Sequence, residues 1–160
     1  MDASPTLGTL LRRLLERLDG EVEAAYDAAG LAWRPRYTPV LRALIAMGPA
    51  SIKALAGMTG VSHSAVSQTV SQMKKDGLVS LEAGTDGRER IVAPTPLARA
   101  MVPDLRRQWT ATNRAAEELD AELSAPLSAV VAEALDALGD RPFGERIRAA
   151  AASLPATDHP

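Results

Sequence analysis

Cysteine is absent from the 160 residues. Its absence removes disulfides, thiolate metal sites and cysteine-based oxidant sensing together, and it fits a reducing cytoplasm. Aromatic residues are scarce as well, at 3%. A core must therefore be assembled from Leu, Val, Ile, Met and Ala, which the 46% hydrophobic content supplies. Histidine occurs twice, as His63 and as His159 near the C-terminus, so neither a metal site nor a cofactor is expected. No apolar run is long enough to span a bilayer, and no membrane association is expected. The first residues, MDASPTLGTLLRRLLERLDG, are not expected to act as a secretory signal, because basic residues interrupt the apolar stretch instead of preceding it. A Ser/His/Asp arrangement, a phosphate loop, paired carboxylates in a plausible pocket and a cofactor fingerprint are all missing, so no enzymatic activity is expected.

The net charge is -2, which argues against indiscriminate binding to polyanions. The charges are unevenly spread. Residues 48–100 carry six Lys or Arg against four acids, and the remainder carries twelve against sixteen. The middle of the chain is its basic part.

What is present is mostly helical periodicity. Leu7, Leu10, Leu11, Leu14, Leu15, Leu18, Val22 and Ala25 recur at three- and four-residue steps, which predicts an amphipathic helix over 7–25, stopped by Gly30. So dense a leucine stripe fits either an ordinary core helix or one that also packs on a second subunit. Pro35 and Pro39 suit the first turns of the next segment, whose apolar face holds Val40, Leu41, Leu44, Ile45 and Met47. After the Gly48-Pro49 break, Ser51 can cap a short helix ending near Met58. LVSLEA and ERIVAP, separated by GTDGR, read as a β-hairpin. Pro96 opens a long helix with Leu97, Met101, Leu105 and Trp109 four apart. Pro103 inside it should bend that helix or delay its start. A last helix over 124–138 is expected to turn Leu127, Val130, Val131, Leu135 and Leu138 inward, with a disordered tail over 154–160.

One segment, GVSHSAVSQTVSQMKKDGLV over 60–79, has helical spacing but unusual side chains. Val66, Val70 and Met73 mark a buried side, with Ala65 and Thr69 beside them, and Ser62 can cap the start. His63, Ser64, Ser67, Gln68, Ser71 and Gln72 remain outside. A merely solvated face would more often carry Glu, Lys and Arg. Short or planar hydrogen-bonding groups instead suit a close surface of alternating donors and acceptors. The DNA major groove is such a surface and admits a helix. Ala56 and Gly60, with Leu55, Val61 and Val66, have helix-turn-helix spacing. With the hairpin directly afterwards, the pattern is a winged helix.

These residues carry a resemblance. GPASIKALAGMTGVSHSAVSQTVSQMKKDGLV and DGRERIVAPT resemble the MarR family (multiple antibiotic resistance regulators) of dimeric winged-helix transcription factors, over about residues 38–100. The family's wing has an Asp, an Arg two residues on, and a Thr seven beyond in a Leu-Thr pair. Here these are Asp86, Arg88 and Thr95, with Pro94 in place of Leu, which is expected to distort the end of the second wing strand. The resemblance implies a mainly α fold with a small β wing. It would comprise a DNA-binding lobe at 35–95 and a helical dimerisation region at 1–34 and 96–153.

It also implies roles. His63, Ser64, Ser67 and Gln68 would meet base edges, Gln being able to pair bidentately with adenine. Arg88 would enter the minor groove, oriented by Asp86, where otherwise it is a solvated charge. Ser51, Lys53, Ser71, Lys74 and Arg90 would hold phosphates. Lys74 and Lys75 also suit a helix C-terminus without DNA. The implied function is a cytoplasmic, sequence-specific regulator of transcription, a repressor, acting as a homodimer on double-stranded DNA at a near-palindromic site. The alternative is a winged helix that binds protein instead of DNA.

Many members of that family bind small aromatic anions between the dimer helices and the DNA-binding lobe. Trp33, Arg34, Arg36 and Tyr37 fall at that junction and join two aromatics to two guanidinium groups, with Trp109 able to line the same space. The other reading of Trp33 and Tyr37 is that they fill the core while the arginines stay solvated.

Overall fold

Thr6 begins the first helix, its hydroxyl oxygen accepting the Thr9 N–H at 3.3 Å. The computed structural model describes residues 4–85 and 87–154. The first helix, α1, runs Leu7–Ala28. Of its leucine stripe, Leu7, Leu10, Leu11, Leu15 and Leu18 are exposed, and Val22 packs on the core. The residue that α1 buries is Tyr26, not Ala25 of the expected stripe. The chain then turns through a 3-10 segment, Pro35–Tyr37, into α2, Thr38–Met47, each with proline in its first turn as expected.

Helix α2 buries Val40, Leu41, Ala43 and Leu44. Ile45 and Met47, expected on the same face, are exposed. Ile45 lies about 100° around the helix from Leu44 and so leaves the apolar stripe. Next, Ala50–Ser51 form a short strand, β1, that the sequence does not announce because two residues show no alternation. Ser51 both pairs within the sheet and caps α3, Ile52–Thr59, accepting the Ala54 N–H at 3.2 Å. Gly60 then adopts φ 68°, the left-handed conformation in which a Cβ is strained, and turns the chain toward α4, His63–Lys75.

Strands β2, Val79–Ala83, and β3, Arg90–Pro94, form the expected hairpin. The sheet has three antiparallel strands in the order β1-β3-β2, with β3 in the middle. Pro94 does not cut the strand short: it ends β3, buried and paired with Val79. At a strand end the missing N–H costs least. Helix α5 runs Pro96–Glu122 unbroken past Pro103, so its start is not delayed. Loss of one donor toward the Arg99 carbonyl leaves enough neighbouring bonds, and the packing of Ala98 and Leu105, to carry the helix on.

Contacts divide the chain into units of residues 1–110 and 111–160. The first holds the core, where Leu41, Leu55, Val66, Val70, Met73, Val92 and Leu105 meet the aromatics Tyr26, Trp33 and Tyr37. In that core Ala98 takes the place expected of Leu97, which is 55% exposed. In the second unit, α6 covers Leu127–Asp140 and is followed by α7, Phe143–Ser153, which lies beyond the last helix expected over 124–138. Asp120 accepts the N–H of Ser128 at 3.2 Å and also its hydroxyl. Arg146 closes the far end of α6 by donating to the Ala137 carbonyl at 2.9 Å and to that of Arg141 at 3.1 Å. Val130, Val131, Leu135 and Leu138, expected inward, are exposed, and Leu127 is half-buried. An apolar stripe states that a face seeks cover, not which surface supplies it. Of the tail expected over 154–160, residues 155–160 lie outside the described residues. No described helix is long and apolar enough to cross a membrane.

Candidate nucleic-acid interface

Helix α4 is built as the sequence requires of a helix with one dry face. Ser62 accepts the Ala65 N–H at 3.3 Å and fixes its start. Val66, Val70 and Met73, at 1%, 1% and 0% exposure, bury three- and four-residue steps against the core. His63, Ser64, Gln68, Ser71 and Lys74 are exposed, and Ser67 is half-buried among them. The helix thus offers one uncharged polar row along most of its length, with its two lysines in the last turn.

On α3, Lys53 is exposed, whereas Ser51 is half-buried with its hydroxyl engaged in the helix cap. Arg90 stands exposed at the first position of β3. The wing turn between β2 and β3 is held by the Gly84 N–H on the Glu89 carbonyl at 2.7 Å and the Gly87 N–H on the Gly84 carbonyl at 3.0 Å. Gly87, at φ 70°, supplies the positive dihedral that lets the chain reverse. Arg88 follows it and is exposed. Asp86, expected to orient Arg88, lies outside the described residues. Thr95 joins the wing to its neighbours. Its hydroxyl donates to the Gly77 carbonyl at 2.7 Å, and its oxygen accepts the Ala98 N–H at 3.3 Å at the start of α5.

The residues expected to line an effector site fall into two groups. Trp33 and Tyr37 are 2% and 0% exposed, pack edge-to-face at 5.5 Å and 88°, and belong to the core. The Trp33 indole N–H donates to the Thr38 hydroxyl at 3.1 Å, which is also 3.3 Å from the Tyr26 hydroxyl. Arg34 and Arg36 are exposed, with the Arg36 guanidinium 5.7 Å from the Tyr37 ring centroid. Trp109 is half-buried beneath Arg42, whose guanidinium lies 5.8 Å from the ring centroid. Its indole N–H is buried and meets no acceptor. That is an unmet donor of the kind a ligand oxygen satisfies.

Two polar residues of α4 and its cap have partners that sequence spacing did not reveal. The Tyr37 hydroxyl donates to Asp76 at 2.6 Å, and the Gln72 amide donates to the other carboxylate oxygen of Asp76 at 2.9 Å. The Tyr37 bond, followed by that of Gln72, holds the Asp76 carboxyl below its ordinary value of 3.8, with Arg34 and Arg36 adding in the same direction. Burial, then the Asp76 bond, pushes the Tyr37 phenol above its ordinary 10.0. The available signal was a tyrosine at an apolar position in an aromatic-poor chain, since a buried hydroxyl needs a partner. Asp76 read only as a helix stop.

Residues 34–89 match the model of the MarR family. Among solved structures, the M. tuberculosis transcriptional regulator MOSR in complex with DNA is 21% identical at a TM-score of 0.65, covering 94% of this chain and 100% of that one. Bordetella bronchiseptica BpsR, whose DNA binding is regulated by 6-hydroxynicotinic acid, is 21% identical at a TM-score of 0.60, covering 88% and 97%. A probable transcriptional regulator from Pseudomonas aeruginosa is 24% identical at a TM-score of 0.59, covering 83% and 96%. These likenesses establish the fold across most of the chain. No curated protein matches the sequence.

Proposed function

We propose that the chain, whose winged-helix lobe matches the model of the MarR family over residues 34–89, is a homodimeric repressor of transcription that reads a near-palindromic site in double-stranded DNA. The observation that carries this reading is α4. It is anchored by Val66, Val70 and Met73 and turns His63, Ser64, Ser67, Gln68 and Ser71 the other way. Such a row matches the donors and acceptors of the major groove, and nothing about folding calls for it. His63, Ser64, Ser67 and Gln68 meet base edges. Arg88 reaches the minor groove from the wing, and Lys53, Lys74 and Arg90 meet phosphates, joined by Ser51 and Ser71. Asp86 steadies Arg88 in this reading.

The uncovered apolar faces of α1, α6 and α7 support dimerisation through residues 1–34 and 96–153. Two copies then set two α4 helices about one DNA turn apart, which is why the site is near-palindromic. An aromatic anion binding near Arg34, Arg36 and the unmet Trp109 indole N–H releases the DNA by favouring a dimer with wrongly spaced reading helices. Trp33 and Tyr37, buried in the core, take no direct part in it. BpsR, with its 6-hydroxynicotinic acid regulation, offers a precedent in the same fold.

The test is fluorescence anisotropy with the DNA upstream of the protein's own gene, against scrambled DNA, across a salt series. Selective binding that falls steeply with salt is expected, as counterions return to the phosphates. Arg88→Ala should weaken it, and Gln68→Ala should alter sequence preference more than overall affinity. Salt-insensitive binding, or indifference to both substitutions, refutes the assignment.

A further inference from the structure

Helix α4 is held in two different ways. Along its length, Val66, Val70 and Met73 are buried by an effect that is strong but non-directional. Apolar burial fixes how deep a helix sits more firmly than how it is rolled about its axis. Base reading is sensitive to roll, because a binding constellation tolerates only about 10–20° of misorientation. A directional contact is needed, and α4 has one at its C-terminal end.

That contact is the Asp76 carboxylate. One oxygen accepts the hydroxyl of Tyr37 at 2.6 Å, and the other accepts the amide of Gln72, inside α4, at 2.9 Å. Tyr37 is itself packed in the core: it is fully buried, and its ring and that of Trp33 meet edge-to-face. Trp33 is in turn fixed by its bond to Thr38. A chain of directional contacts therefore runs from the aromatic cluster, through one carboxylate, into the last turn of the helix.

We propose that Tyr37 and Asp76 are positioning residues for sequence readout, setting the roll of α4 from the protein interior and keeping the Gln72 amide turned away from the bases. They touch no DNA. Gln72 sits on the same helix as Gln68 and has the same chemistry, yet its amide nitrogen is committed to Asp76, so reading falls to His63, Ser64, Ser67 and Gln68. The inference rests on the reading that α4 enters the groove.

The experiment compares Tyr37→Phe, Asp76→Asn and the double variant, each as the full chain. Tyr37→Phe removes only the hydroxyl. The quantity read is the ratio of affinity for the upstream DNA to affinity for the same DNA with the α4-facing base pairs scrambled. Each single variant is expected to lower that ratio about tenfold, the worth of one charge-assisted hydrogen bond. The double variant should do no worse than either, because the two substitutions break one chain. The slope of affinity against salt should not change, since no phosphate contact is lost. A purely structural role would weaken both DNAs alike and leave the ratio intact, and that result overturns the proposal. Arg88→Ala and Gln68→Ala separate the two levels. If they impair binding while Tyr37→Phe keeps the ratio, the positioning role is wrong. If they too have no effect, α4 is not the reading element and the inference falls with it.

Discussion

Leu15 provides the sharpest test of the proposed dimer. It lies in the leucine stripe of α1 and is 58% exposed in the single chain. Full burial of a leucine side chain is worth about 1.5–3 kcal/mol, so covering this exposed part contributes roughly 1–1.7 kcal/mol per copy. In a two-fold dimer the same patch serves both subunits, and the substitution is felt twice. Leu15→Ser should therefore weaken association by about 2–3.5 kcal/mol, or roughly 30- to 300-fold in the dimer dissociation constant. The folded protomer should be unharmed, because Leu15 contributes nothing to the core of its own chain. Sedimentation equilibrium over a dilution series reads the constant directly, and Arg12→Ser, on the polar side of the same helix, is the control. An unchanged constant for Leu15→Ser, or equal effects of the two substitutions, would show that the leucine stripe is not the subunit interface.

Two further expectations concern stability. Ser62→Ala removes the side-chain cap of α4 and should cost about 1 kcal/mol, lowering the melting temperature by several degrees; Ser62→Gly should recover most of the loss, and a silent Ser62→Ala would mean the 3.3 Å contact contributes nothing. The second is acid sensitivity. The folded-state pKa of Asp76 is depressed by Tyr37 and Gln72, so its contribution is present above the ordinary value of 3.8 and lost as pH falls through the lower folded value. Melting curves of the parent protein and Asp76→Asn should stay separated down to about pH 5 and converge below about pH 4; a gap that persists unchanged to pH 2.5 would show that Asp76 is not held by these bonds.

The winged-helix lobe was legible because its signals are local and mutually consistent. Ser51 and Ser62 are caps three residues before the N–H groups they accept, and Val66, Val70 and Met73 keep a strict helical step. The hairpin around the Gly-rich turn changes period from 3.6 to 2. What escaped the sequence is what depends on distant partners. Ala50–Ser51 becomes a strand only because β3 lies alongside it. Tyr37 and Asp76 stand far apart in the chain, and no spacing rule joins them. Trp33 and Tyr37 invited both a ligand reading and a core reading, and only burial places their rings inside.

The apolar helices illustrate a different limit. Leu11 and Leu15 in α1 carry the same kind of periodic signal as Val66 and Val70 in α4, yet the first pair is exposed and the second buried. Periodicity reports that a face is apolar; it does not report which surface covers it. Tyr26 illustrates the consequence within one helix. It is the residue that α1 buries in its own core, four positions after Val22, at the C-terminal end of the stripe. The leucines before Val22 continue the same stripe past the point where the chain's own core ends. A helix that only packed on its own lobe would have no need of apolar residues there. The excess length of that stripe, and not its existence, is the sequence feature that argues for a second copy.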